Sequence, residues 1–187
     1  MRITICGIPE LGEHCEAGVT HVLSILDPSW PDPIAFLDFP PHRREALRFD
    51  DAIEAAPGIV LPTEKDVAQL LEFGREAMAA GPDAHLLIHC HAGVSRSTAS
   101  AVLLLAQADP SRAAADIVGE IARLRPRAWP NLLLLEYGEA ALGRDGELVA
   151  AVAAQYRRVA EAAPSFALFI RQAGRGREVA LAEQAQR

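Results

Sequence analysis

Nine consecutive residues, His89-Cys90-His91-Ala92-Gly93-Val94-Ser95-Arg96-Ser97, gather a thiol, two imidazoles, a guanidinium and two hydroxyls. They follow a short apolar run, His85–His89, that predicts a strand buried on both faces. They precede an Ala- and Leu-rich stretch with helical periodicity. A strand feeding a tight loop into a helix N-terminus points several unpaired backbone N–H groups into one concavity, where the helix dipole also favours negative charge. Gly93 permits the positive φ or close backbone approach that such a cradle needs. Arg96 closes the ring with a planar fork that holds two oxygens of a phosphate at once. The predicted phosphate site is therefore His91, Ala92, Gly93, Val94, Ser95 and Arg96, with Cys90 at its floor. Amide dipoles and Arg96 favour the thiolate, the nucleophilic form, and place it to attack phosphorus. Ser97 can hydrogen-bond the sulfur and stabilise it as a leaving group. The plainer reading is a core cysteine beside a surface arginine. The His, the Gly, the serines around Arg96 and the strand–loop–helix setting together argue against it.

The elements that must hold this loop follow from pattern. Arg2–Ile8 and Thr20–Leu26 are short and β-branched and predict strands. Ile34–Phe39 and Glu45–Phe49 are weaker strand candidates, separated by Pro40-Pro41. Thr63–Ala80 predicts a helix with Thr63 as N-cap, Asp66 completing a capping box, and Val67, Leu70, Leu71, Gly74 and Met78 on one face. Gly81-Pro82 stops it. Beyond Cys90 the punctuation predicts helices at about 97–108, 111–124, 131–142 and 147–162, and a further one over 166–172. The Gly/Arg/Gln-rich tail, 174–187, is expected to be flexible, leaving a domain over 1–173. The fold class is α/β: a single domain with a central, mostly parallel sheet flanked by helices and extra helices at the C-terminal end.

The Cys90 loop resembles the signature of the cysteine-based protein tyrosine phosphatases, HC-x5-R-[ST], and most closely the dual-specificity-like branch, HCxxGxSRS; here it reads HCHAGVSRS. Arg125-Pro126-Arg127-Ala128-Trp129-Pro130-Asn131 is similar to that branch's Arg-Pro … Pro-Asn segment. Physically, Pro126 and Pro130 end one helix and Asn131 caps the next, so the segment reads as a helix–helix connection. The resemblance covers roughly residues 19–142. It implies a two-step hydrolysis of phosphate monoesters. Cys90 displaces the alcohol or phenol to give a cysteinyl-phosphate, which water then hydrolyses. A carboxylic acid on a loop before the cysteine protonates the leaving oxygen and later acts as base.

Four carboxylates compete for that role. Trp30-Pro31-Asp32 spells the Trp-Pro-Asp of other tyrosine phosphatases, yet two strand candidates separate Asp32 from Cys90. The family's acid loop follows the strand that leads into the last helix before the cysteine strand, which selects Asp50 or Asp51. Alternation through Leu47 and Phe49 puts Asp51 on their face and Asp50 opposite, and the family's apolar-apolar-x-Asp pattern also fits Asp51. Asp51 is the choice, Asp50 the rival; Asp32 and Asp38 read as solvated loop carboxylates. Ala55–Pro62 reads as an inserted loop that lengthens the separation from Cys90. His89 is assigned to support loop geometry, and His91 to the pocket rim.

Composition bounds the partners. The 187 residues carry a formal charge of −7, so a basic nucleic-acid footprint is missing. No apolar stretch suits a membrane span and no export signal opens the chain, so a soluble cytoplasmic protein is expected. Three cysteines, an odd number, predict no disulfide framework and a reducing compartment. His14, His21, His42 and His85 lack partners at ligand spacing; no metal or cofactor is expected. Lipid-phosphate relatives read HCKxGKxR, and the uncharged Val94 and neutral-range His91 at those places disfavour inositol lipids. The resemblance leaves phosphotyrosine, phosphoserine/threonine or a small phosphomonoester as substrate, and a phosphate-binding module without turnover as the alternative.

Overall fold

His85–Cys90 (β4) runs through the middle of a four-stranded, wholly parallel sheet, with every residue buried. The computed structural model describes residues 1–185. The other strands are β1 (Arg2–Gly7), β2 (His21–Leu26) and β3 (Arg43–Arg48), in the spatial order β1-β4-β2-β3. Gly7 pairs with Cys90, and Ser24 of β2 pairs with His89. The carboxyl ends of β1, β2 and β4 thus converge on one edge, where parallel sheets bind ligands.

Alternation along the strands sorts the core into two layers. Ile5, Leu23, Ile25, Leu86 and Ile88 face α1 (Glu64–Ala79) and α2 (Arg96–Ala108), joined by Val67, Leu70, Val102 and Leu103. Cys6, Val22 and Leu87 face the other way, under two 3-10 helices, Ile8–His14 and Ile34–Asp38. α3 (Ala114–Leu124) and α4 (Leu132–Leu142) pack on α2, α5 (Glu147–Ala162) packs on α3 and α4, and α6 (Pro164–Gln172) and α7 (Gly176–Gln184) pack on α5. The Thr63 capping box forms: Asp66 N donates to Thr63 Oγ1 at 3.3 Å, and Thr63 N donates to Asp66 Oδ2 at 2.8 Å. Cys6, Cys15 and Cys90 are free thiols. Among the described residues no helix is long and apolar enough to cross a membrane.

Three expectations are corrected. Ile34–Phe39 is not a strand but a 3-10 turn. Pro33 starts it and Pro40-Pro41 follow, and a three-residue period brings Phe36 edge-to-face with Phe39, ring centroids 5.2 Å apart, where strand alternation would put them on opposite faces. β3 spans Arg43–Arg48 rather than Glu45–Phe49. It is an edge strand, where charged side chains are tolerated and the apolar alternation fades. The tail expected to be flexible holds α7 over Gly176–Gln184, so ordered packing continues past residue 173. Glu178, Val179 and Ala182 are its buried face. A buried glutamate paired with Arg175 gives that face a polar spelling, which composition reads as solvated. Residues 186 and 187, also assigned to that tail, lie outside the described residues.

Candidate active site

From His91 to Ser95 the loop has its backbone carbonyls turned outward, each with a partner. Ile8 N donates to His91 O at 2.9 Å. Arg125 donates through Nη2 to Ala92 O at 3.1 Å and through Nε to Gly93 O at 3.0 Å. Trp129 N donates to Val94 O at 2.9 Å, and Ala99 N to Ser95 O at 2.9 Å. A trans peptide points its N–H opposite to its C=O, so carbonyls held outside direct the amides toward the concavity. Gly93 has φ +68°, and a Cβ there would stand 2.5 Å from the Cys6 carbonyl carbon and 2.7 Å from Gly7 N. No other residue fits. At the floor, Cys90 Sγ lies 3.2 Å from Ser97 Oγ.

Arg96 is nearly fully buried, donating through Nη1 to Phe49 O at 2.6 Å. The same nitrogen lies 2.7 Å from Asp27 Oδ1, an ion pair just past the end of β2. Arg96 Nε finds no acceptor among the described residues. Asp27 N donates to His91 Nε2 at 3.3 Å, and the edge of Trp30 packs on the His91 ring at 4.5 Å. Burial, with Arg96 adding to it, holds His91 below its ordinary pKa against the pull of Asp27, consistent with a neutral ring accepting that hydrogen.

Asp51 stands across the cavity. Its Oδ1 accepts from Ser95 Oγ at 2.7 Å and from Asn131 Nδ2 at 3.0 Å. Its Oδ2 lies 3.0 Å from Arg175 Nη1. Burial pushes the Asp51 carboxyl up, but Arg175, Arg96 and the two hydrogen bonds outweigh it and hold it below the usual carboxylate range. Asn131 also caps α4, its Oδ1 accepting from Leu134 N at 3.1 Å. Cys90, Asp51, Arg96 and Arg175 line one cavity of about 320 Å³, walled on its apolar side by Trp129, Phe166, Phe169 and Ile170.

No protein-family model and no curated protein sequence matches this chain. Solved structures do. Human DUSP28 is similar at a TM-score of 0.57 and 19% identity, over 76% of this chain and 94% of that one. DUSP15 gives 0.54 and 21%, over 76% and 86%, and Tk-PTP in its active form 0.54 and 17%, over 77% and 93%. The chain has the dual-specificity phosphatase fold.

Within that fold the other sequence-selected residues are dispersed. Asp50 turns to the following loop, where its Oδ2 accepts from Val60 N at 2.7 Å. Asp32 accepts from both Arg44 Nη atoms at 3.1 and 3.0 Å and also pairs with Arg48. Trp-Pro-Asp is therefore a clasp that fastens the β2–β3 connection and steadies Trp30 against His91. Asp38 is exposed at the end of its 3-10 turn. His89 is buried with Nε2 2.7 Å from Ser24 Oγ, which already accepts from Arg44 Nε at 2.9 Å. Burial pushes the His89 pKa down to about 4. A neutral, buried histidine results.

Several participants were missed in the sequence. Asp27 carried a usable signal: it is the first residue past β2, the neighbour of the cysteine strand, at the carboxyl edge of the sheet. The 125–131 segment does more than join helices, since it holds both the loop carbonyls and Asp51. Phe166, Phe169 and Arg175 had no local signal; only the folding back of α6 and α7 brings them to the cavity.

Proposed function

We propose that this protein is a phosphatase that hydrolyses phosphate monoesters, with Cys90 as nucleophile and Asp51 as general acid. The observation that carries it is a thiol at the floor of an amide-lined loop, with Arg96 beside it and a carboxyl facing it in one cavity. The unpaired Nε–H of Arg96 supports an oxyanion ligand, because a buried donor without an acceptor is costly. Cys90 Sγ forms a bond to phosphorus while the P–O bond to the leaving group breaks, and that oxygen takes the proton of Asp51. Water then attacks the cysteinyl-phosphate, giving its proton back to Asp51, and the S–P electron pair returns to sulfur beside the Ser97 hydroxyl. Free Asp51 is held ionised, so the dianion must first raise its pKa by adding negative charge and drawing Arg96 to itself. The aromatic wall of Phe166 and Phe169 favours an aryl ester, phosphotyrosine foremost, with phosphoserine/threonine also admitted.

A second reading, a phosphate-binding module without turnover, draws on one observation: Arg96 is already satisfied in part by Asp27. Phosphate release from an aryl phosphate separates the two. Wild type is expected to turn over and Cys90→Ser to be silent. Asp51→Asn is expected to lose about 10²-fold or more in kcat, while Asp50→Asn and Asp32→Asn keep most of it. Asp27→Asn is expected to lower KM with kcat retained, since phosphate no longer competes for Arg96. An inactive wild type that still binds phosphate would leave the module reading standing; a kcat collapse in Asp27→Asn alone would move the acid to Asp27.

A further inference from the structure

The C-terminal helices place a second arginine against the site. Arg175 follows α6, where Gly174 has φ +79° and Arg175 N donates to Ile170 O at 3.2 Å. A positive φ at that point lets the chain reverse and turns the arginine inward. Its side chain is only 4% exposed. One edge of the guanidinium is clamped by Glu178, Nε to Oε2 at 2.8 Å and Nη2 to Oε1 at 2.7 Å. Glu178 is itself fixed: its oxygens accept from Trp129 Nε1 at 2.7 Å and from Leu132 N at 3.0 Å. That leaves Nη1 aimed at Asp51 Oδ2, while Ser95 and Asn131 hold Oδ1. Both carboxyl oxygens are therefore tied to different elements, which fixes the plane of the group.

We propose that Arg175 is a positioning residue for the Asp51 carboxyl, by which the α6–α7 pair sets where the acid stands and over what pH range it can give a proton. The proposal rests on the acid role of Asp51 argued above. The charged and titratable groups around Asp51 are Arg96 from the start of α2, Cys90 and His91 from the end of β4 and the loop, Arg175 itself, and Glu178 and Tyr156 behind it. The two arginines are the permanent cations of this set. Arg175 is backed by a carboxylate and stays in place, whereas Arg96 turns to the phosphate when substrate arrives. The consequence is a falling limb of kcat/KM, marking loss of the acid's proton, that lies at low pH in the wild type.

The test is the pH profile of kcat/KM for an aryl phosphate. Arg175→Met is expected to shift the falling limb upward by about one pH unit or more, with kcat reduced about tenfold as the carboxyl loses one anchor. Arg175→Lys, which keeps the charge, is expected to leave the limb at its wild-type position. Arg175→Met strands Glu178 as a buried unpaired charge, so Arg175→Met/Glu178→Gln is measured beside it and is expected to show the same shift. In an Asp51→Asn background, Arg175→Met is expected to move nothing. An unmoved limb in the Met variants, or equal shifts in the Lys and Met variants, overturns the positioning role while leaving the acid in place. An Asp51→Asn profile identical to wild type overturns the acid assignment, and the positioning role falls with it.

Discussion

The two walls of the cavity are built by different rules. The Cys90 side is one uninterrupted run from the end of β4 to the first turn of α2, and its donors are fixed by where its carbonyls are tied. The Asp51 side is assembled from four places far apart in the chain: the loop after β3, the cap of α4, α6 and Arg175. A contiguous wall is a local consequence of strand, glycine and helix start. An assembled wall exists only once helices have packed. On the proposed reading the nucleophile and the phosphate cradle belong to the first kind, and the acid, with the groups that set its geometry and proton affinity, belongs to the second.

Substitutions on the two walls should therefore differ in size. Arg96→Met, on the contiguous wall, is expected to lower kcat/KM by about 10³-fold, as removal of a donor to developing charge does elsewhere. Next is a stability effect under the loop. Neutral His89 binds its proton only near pH 4 when folded but near its ordinary 6.5 when unfolded. The unfolded chain holds the extra proton between those values, so the fold is at full strength above pH 6.5 and loses up to about 3 kcal/mol as pH falls toward 4. Denaturant titrations across that window should show the loss, and a His89→Gln variant a flatter curve. Gly93→Ala places a Cβ against backbone at positive φ and is expected to cost about 2 kcal/mol or more, a fall in Tm of several degrees by calorimetry. On the assembled wall, Asn131→Ala removes a helix cap worth about 1 kcal/mol and one anchor of Asp51, with kcat reduced about tenfold. The smallest effect belongs to Asp32→Asn, an exposed ion cluster expected to contribute under about 1 kcal/mol, with catalysis retained. If Asn131→Ala proved as damaging to turnover as Arg96→Met, the contrast between walls would collapse.

The same contrast explains what could be read from the chain. The sheet, the Thr63 box and the long helices follow from period and capping residues that lie within a few positions of one another, and the structure has them. Alternation through Leu47 and Phe49 selects Asp51 over Asp50, and in the structure the two carboxyls point apart. Ile34–Phe39 reads either way because a short run of apolar residues broken only by Asp38 is compatible with either period until its flanking prolines are weighed. Arg175 and Glu178 were invisible for another reason. Two charged residues in a Gly/Arg-rich string read as solvated, and nothing short of their mutual burial says otherwise.

Of the chain's two tryptophans, one packs against the Cys90 wall from outside and the other belongs to the Asp51 wall. Trp30 rests on His91 at the mouth and is 46% exposed, while Trp129 is sealed beneath α5 and α6, stacked on Tyr156 at 4.6 Å and donating to Glu178. The molecule thus carries its own pair of fluorophores in unlike solvents. Trp30 should emit to the red and be quenched by iodide; Trp129 should emit to the blue and be shielded from it. An oxyanion such as tungstate entering the loop should perturb the red component through His91. Loosening of α7 should instead move the blue component toward the red as Trp129 meets water. A single emission spectrum can then report which wall has moved.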